Sequence, residues 1–287
     1  MDPLDWCRDR ILVPGNPLTA SLLFADPEQR DRILALRTLV GELGGAVEAS
    51  EGQVGQTKLE WWRNALAGEL PAAQRHPAVQ ALTESGALAG MNFTEVAALI
   101  DAVGELLDQP RFERMAELWS FCERIGGQAV VLEGYLLDAD AVSHTDTVDG
   151  LRTLGAAAYL IRLVRDIAMD ARANRWWVPL ELQAEYQVSR MDVVESKASS
   201  GFDGLVRTLV LEAIKRSQSA TEAIPAQQAW IHRHALIYWA LDRKLGLTLA
   251  RKPRRLLERR VLPAHAGNVF AAWRAARRLR RRAGRSP

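Results

Sequence analysis

The chain has 287 residues, 48% of them hydrophobic, enough to bury a core in one large domain or two ordinary ones. No apolar run reaches the roughly 18 residues of a membrane-spanning helix, and the charged start MDPLDWCRDR has no apolar region of the signal-peptide kind, so a soluble protein of the cytoplasm is expected. The net charge of +2 conceals an asymmetry: residues 251–287 hold thirteen Arg and Lys against Glu258 alone, leaving twenty-four basic and thirty-four acidic side chains elsewhere.

Cys7 and Cys122 lie far apart with no His or Cys at metal spacing, which excludes a disulfide framework or a zinc site. Ala, Leu, Arg and Glu dominate, β-branched alternation is scarce, and no repeat or linker marks a boundary. The expected fold is one all-α domain, a bundle of helices long enough to surround a central cavity.

In chain order, Asp26 followed by Pro27 reads as an N-cap and first helical residue, opening a helix that runs to about Ala49. That helix places Gly41, Gly44, Gly45 and Glu48 on one face. Each glycine inside a helix costs about 1 kcal/mol relative to alanine, so close approach of another helix or of a ligand is expected there. A second helix is expected over about 56–70, with Leu59, Trp62 and Leu66 as its buried stripe, and a third from near Pro77. Asn92 with Glu95 makes a capping-box-like start for a fourth, and 111–137 reads as one long helix. Further helices are expected over 147–173, 202–219, 226–249 and 267–282.

The helix over 147–173 carries Asp166 and Asp170, four residues apart and so stacked on one face. Two such carboxylates form either a solvated surface or an acidic face for Mg²⁺, a hard cation that bridges carboxylates to phosphates. Arg162, Arg165, Arg172 and Arg175 surround the pair, and Trp176-Trp177-Val178-Pro179 leaves the helix as an aromatic, extended exit.

The run from Arg165 to Pro179 resembles the second aspartate-rich motif of the squalene/phytoene synthase family, NxxRDxxxDxxxGRxYxP, with Arg165, Asp166, Asp170, Arg175 and Pro179 as matching positions. KLEWWRNAL at 58–66 and Phe121-Cys122-Glu123-Arg124-Ile125-Gly126-Gly127-Gln128 are similar to two further stretches of that family, the latter to YCxxVAGT with Phe121 in place of the tyrosine. The first stretch is most similar to the branch that includes the phytoene-synthase-like assembly factor of respiratory complex I. Aligned on the family's first acidic motif, DDxxD, Gly44 and Gly45 stand where the first two aspartates would be and Glu48 where the last would be. Tyr159 and Arg162 replace the family's glutamine and asparagine.

The resemblance implies head-to-head condensation of two farnesyl or geranylgeranyl diphosphates with Mg²⁺ as cofactor. It makes Glu48, Asp166 and Asp170 the catalytic metal ligands, and Arg165, Arg175, Arg162, Tyr159 and Phe121 the substrate-binding set. The departures leave two readings open: a prenyltransferase with a reduced metal complement, or a non-catalytic assembly or scaffolding factor for a respiratory membrane complex. Arg162, one turn before Asp166, is expected to supply a fixed positive charge where a metal would sit.

Residues 1–260 read as the family-like domain and 261–287 as a basic amphipathic helix and tail, with Val269, Phe270 and Trp273 among Arg274, Arg277, Arg278 and Arg280 to Arg282. This segment suits either an anionic membrane surface, which would make the protein peripheral on the inner face of the membrane, or packing on the acidic body. Nothing in it resembles a base-reading motif, and no nucleic acid is expected as partner.

Overall fold

The computed structural model describes residues 1–13, 15–48, 52–138, 140, 144–197 and 199–284. Among them every regular element is helical. The N-terminal part comprises α1 (Pro3–Ile11), α2 (Pro17–Ser21), α3 (Pro27–Glu48), α4 (Gly52–Leu66), α5 (Pro77–Glu84), α6 (Ala87–Gly90) and α7 (Phe93–Gly104). The centre comprises α8 (Met115–Cys122), α9 (Gln128–Leu137) and α10 (Thr145–Arg172). The remainder comprises α11 (Leu180–Tyr186), α12 (Arg190–Val194), α13 (Ser200–Ala223), α14 (Ala226–Ile231), α15 (Arg233–Arg251), α16 (Arg255–Glu258) and α17 (His265–Ala283).

Helix α10 is the axis of the bundle. Its 28 residues span about 42 Å. Leu151, Leu154, Leu160, Ile161, Val164 and Ile167 are buried around it, so it is covered on several sides, by α9, α13 and α15. It also packs against a π-helical turn, Glu123–Gly127, that joins α8 to α9. There Gly126 and Gly155 allow backbone to meet backbone: a Cβ on Gly155 would lie 2.2 Å from the Gly126 carbonyl oxygen. A π turn inserts one residue into the helical repeat, which is how the expected single helix over 111–137 becomes α8 and α9 in series.

Several local expectations need correction. The glycines of α3 are not a packing seam: among the described residues nothing lies within 4 Å of a Cβ built on Gly44 or Gly45. Asn92 caps α7 through the Thr94 and Glu95 amides, but the Glu95 carboxylate is engaged by the Gln128 amide, so the capping box is not reciprocal. The expected helix over 226–249 is broken at His232, whose backbone (φ −89°, ψ 23°) ends α14 and starts α15. Arg233 holds that break by donating to the Trp230 and Phe24 carbonyls and pairing with Asp26. Helix α4 begins at Gly52, four residues before the expected start.

Helix α17 docks on α2, α14 and α15. Fully buried Ala272, flanked by Val269, Ala275, Ala276 and Leu279, packs on Ala20, Ile237 and Leu241. Arg282 donates to the carbonyls of Thr221, Glu222 and Ile224, which satisfies the C-terminal end of α13. Among the described residues no helix is long and apolar enough to cross a membrane.

Candidate functional site

The second half of α10 opens onto a cavity of about 260 Å³. Phe121, Tyr159, Arg162, Arg165, Asp166, Asp170 and Arg175 all line it, so seven of the eight candidate residues converge there. The eighth, Glu48, ends α3 next to Val47, which also lines the cavity, but the Glu48 side chain lies outside the described residues. Leu106, Leu163, Trp176 and Trp177 supply apolar wall.

The end of α10 explains how Arg175 reaches the site. Asn174 adopts a left-handed conformation (φ 60°), its N–H bonding the Ala171 carbonyl while the Arg175 N–H bonds the Asp170 carbonyl at 2.8 Å. This is a Schellman termination with asparagine in the place glycine usually takes. It turns the chain back on itself, so the Arg175 side chain returns to Asp170, donating from Nε and Nη2 to Oδ1 at 3.1 and 2.7 Å. Trp177 Nε1 donates to the other oxygen, Oδ2, at 3.2 Å.

Asp166 is held from two sides. Arg165 donates Nε to Oδ1 and Nη2 to Oδ2 at 2.9 and 2.5 Å, and Arg260 does the same at 2.7 and 2.9 Å. Arg260 comes from the segment after α16; sequence reasoning placed it within the basic C-terminal stretch and missed its role. The two carboxyls are pushed in opposite directions. Burial raises both, but at Asp166 the hydrogen bonds from Arg165 and Arg260 outweigh it and hold the carboxyl below its ordinary value. At Asp170 burial wins over Arg175 and Trp177, with the Asp166 charge adding to it, and the carboxyl sits above its ordinary value.

Arg162 does not occupy the expected position beside Asp166. Its Nη2 donates to Asp242 Oδ2 at 2.8 Å, and its guanidinium lies 4.9 Å from the centre of the Tyr238 ring. Burial works against its charge, and Asp242 more than restores it. Arg37 lies 5.1 Å from the same ring and pairs with buried Glu133. Glu133 in turn meets His234 Nδ1 at 2.7 Å, and His234 Nε2 meets Ser21 Oγ at 3.0 Å. The order Ser–His–carboxylate is that of a hydrolase triad, but all three side chains are buried and none lines the cavity, so it serves as a structural relay.

Whether the residues suit Mg²⁺ is decided by the oxygens left over. A carboxylate offers about four lone-pair sites. Those of Asp166 are all taken by guanidinium donors, and Asp170 has three of its sites engaged. Among the described residues no group of three or more His, Cys, Asp or Glu side chains is placed to hold a metal ion. As arranged, the donor set does not fit a hard cation that needs several oxygen ligands. It fits an anion: four guanidiniums face three carboxylates, counting Asp242 behind Arg162.

The family model for squalene/phytoene synthase matches residues 16–266, the body of the bundle and both sides of the cavity. The chain belongs to the squalene/phytoene synthase family. A 15-cis-phytoene synthase from Enterobacter agglomerans is 26% identical over 125 residues, which is 42% of this chain and 41% of that protein. The match therefore spans less than half of that relative. Among solved structures, a dehydrosqualene synthase superposes with a TM-score of 0.80 at 15% identity, covering 97% of each chain. The squalene synthase HpnC from Alicyclobacillus acidocaldarius gives 0.66 at 16% identity, covering 87% of this chain and 94% of that one. These likenesses identify a single-domain, all-helical isoprenoid synthase fold. Members of the family typically use Mg²⁺ and isoprenoid diphosphate substrates.

Proposed function

We propose that this family member grips the diphosphate of an isoprenoid diphosphate with Arg165, Arg175 and Arg260, and that it does not perform the magnesium-dependent head-to-head condensation. The observation that carries this reading is the double chelation of Asp166 by Arg165 and Arg260. Guanidinium pairs bind phosphate oxygens as readily as carboxylates, so an arriving diphosphate takes over donors that Asp166 and Asp170 now hold. Glycines 44 and 45, with open space beside them, leave the facing helix with Glu48 alone of the three carboxylates that a first acidic motif would bring to a shared metal cluster. Calorimetry with a non-hydrolysable farnesyl diphosphate analogue tests the reading. Binding of similar strength with and without Mg²⁺ is expected; binding that requires Mg²⁺, or condensation products from farnesyl or geranylgeranyl diphosphate, would overturn it.

A second reading is a non-catalytic scaffold or assembly factor for a respiratory membrane complex, with residues 261–287 as its contact with an anionic membrane. What favours it is the outer face of α17: Phe270 and Trp273 are 59% and 44% exposed and stack 5.8 Å apart, with Arg274 and Arg277 against their rings. Aromatic side chains flanked by arginine suit the headgroup region of anionic lipid. Flotation with phosphatidylserine vesicles checks this: the parent chain should float and Phe270→Ser/Trp273→Ser should not, whereas equal recovery removes the membrane role.

A further inference from the structure

The wall of the cavity formed by Arg162 is the least family-like part of the site as the sequence resemblance describes it. Beyond Arg162, which pairs with fully buried Asp242, the bundle interior is occupied by charged and hydrogen-bonded groups. The Arg162 and Arg37 guanidiniums both lie against the Tyr238 ring, and the Arg37–Glu133–His234–Ser21 relay continues to α2. Five elements, α2, α3, α9, α10 and α15, contribute to this plug. Each member is tied to a partner from another helix, so no single rotamer change opens a path through it. An apolar chain pushed past Arg162 would have to separate buried ion pairs, for which hydrocarbon offers no compensation.

We propose that the plug makes the cavity a site for one short-chain, five-carbon prenyl diphosphate, and excludes the burial of a farnesyl or geranylgeranyl chain. This deepens the preceding reading and rests on it for the diphosphate grip. Size agrees with the topology: the cavity measures about 260 Å³. Binding sites for larger ligands ordinarily run from roughly 300 to 1,000 Å³. The Trp176, Trp177, Leu163 and Phe121 side chains form the apolar wall on which a short chain would rest.

The test is a ladder of ligands against the full chain: inorganic diphosphate, then non-hydrolysable dimethylallyl, geranyl and farnesyl diphosphate analogues. Each newly buried methylene ordinarily multiplies affinity about fourfold. Here dimethylallyl, whose five carbons enter the cavity, is expected to bind about a hundredfold to a thousandfold tighter than diphosphate, and geranyl and farnesyl to bind within about threefold of dimethylallyl. A farnesyl analogue more than a hundredfold tighter than dimethylallyl overturns the inference while leaving the diphosphate grip intact. Failure of inorganic diphosphate and every analogue to bind removes the grip, and the inference with it. As a second arm, Arg162→Leu/Asp242→Leu removes both ends of one pair together. The farnesyl-to-dimethylallyl affinity ratio of that variant, folded by circular dichroism, should rise at least tenfold; an unchanged ratio counts against the plug as the limit on chain length. If the variant does not fold, the ladder on the parent chain decides.

Discussion

Arg260 reaches across 94 positions of sequence to chelate Asp166 with Nε and Nη2, at 2.7 and 2.9 Å. It thereby supplies the positive charge that the sequence suggests for Arg162, and it does so with a side chain that is still 42% exposed. Arg260→Ala leaves Asp166 with Arg165 alone. The variant should bind diphosphate about tenfold or more weakly in the absence of metal, since a hydrogen bond to a charged group is worth roughly 1.5–3 kcal/mol. It should also gain measurable Mg²⁺ affinity, because half of the carboxylate's lone pairs are released. Calorimetric titration with Mg²⁺ alone and with diphosphate alone reads the two effects separately, and an unaltered Mg²⁺ isotherm would count against the saturation argument.

How much of this was readable from the sequence depended on separation along the chain. The Asp166–Asp170 spacing, Arg165, Arg175 and the aromatic exit all lie within one helix and its termination, and the structure gathers them at one cavity. The partners that reinterpret them are distant: Arg260 for Asp166, Asp242 for Arg162 and Glu133 for Arg37 are 94, 80 and 96 positions away. No periodicity signals such pairs. In sequence Asp242, Glu133 and His234 look like ordinary polar positions of helices, and Arg260 is lost among thirteen basic residues of the C-terminal stretch. The break at His232 has no Pro or Gly to announce it, whereas Asn174 is a recognisable C-terminal stop.

Acid dependence separates the two carboxylates. Asp170 stands above its ordinary value, chiefly through burial, so it protonates first as pH falls. Protonation loosens its hold on Arg175, and anion binding should strengthen as pH falls through the raised Asp170 value. Sulfate, which does not titrate there, is the suitable probe. Its affinity measured from pH 7 downward should rise before it falls; in Asp170→Asn that rise should be absent.

Stability follows a different group. Burial pushes Glu133 up, but Arg37 and His234 outweigh it and hold the carboxyl at about 2. A depressed value means that its stabilisation is fully present above the unfolded-state value near 4.5 and is lost as pH falls toward 2. The loss is of the order of 3 kcal/mol. Urea unfolding at pH 6, 4 and 3 should show the midpoint dropping mainly between the last two, and Glu133→Gln should flatten that drop.

Removing one member of the interior plug should cost more than removing two. Arg37→Met removes the guanidinium from the Glu133 carboxylate, which is 0% exposed, and leaves His234 as its remaining partner. Breaking a buried pair costs up to roughly 3–5 kcal/mol. Arg37→Met/Glu133→Leu removes the charge with its partner and should recover most of that loss, read as urea midpoints. Equal destabilisation by the single and double changes would mean that shape, not charge, holds this part of the bundle together.

The glycines offer a paired prediction from a single chemical change. Alanine at Gly155 places its Cβ 2.2 Å from the Gly126 carbonyl oxygen and 2.8 Å from the Gly127 Cα. Both are backbone atoms in a tightly packed turn that no side-chain motion relieves. Gly155→Ala should therefore force α10 away from the π turn, lower stability by about 3 kcal/mol or more, and disturb the alignment of Phe121 with Tyr159, whose rings are 6.5 Å apart. Gly45→Ala meets open space among the described residues and sits in an ordinary helical conformation. It removes an entropic liability and should stabilise by about 1 kcal/mol. Thermal melts of the two variants should thus move in opposite directions. A Gly45→Ala variant less stable than the parent would reveal a neighbour that crowds α3 at that position, and with it a reason for the glycine other than the lost acidic motif.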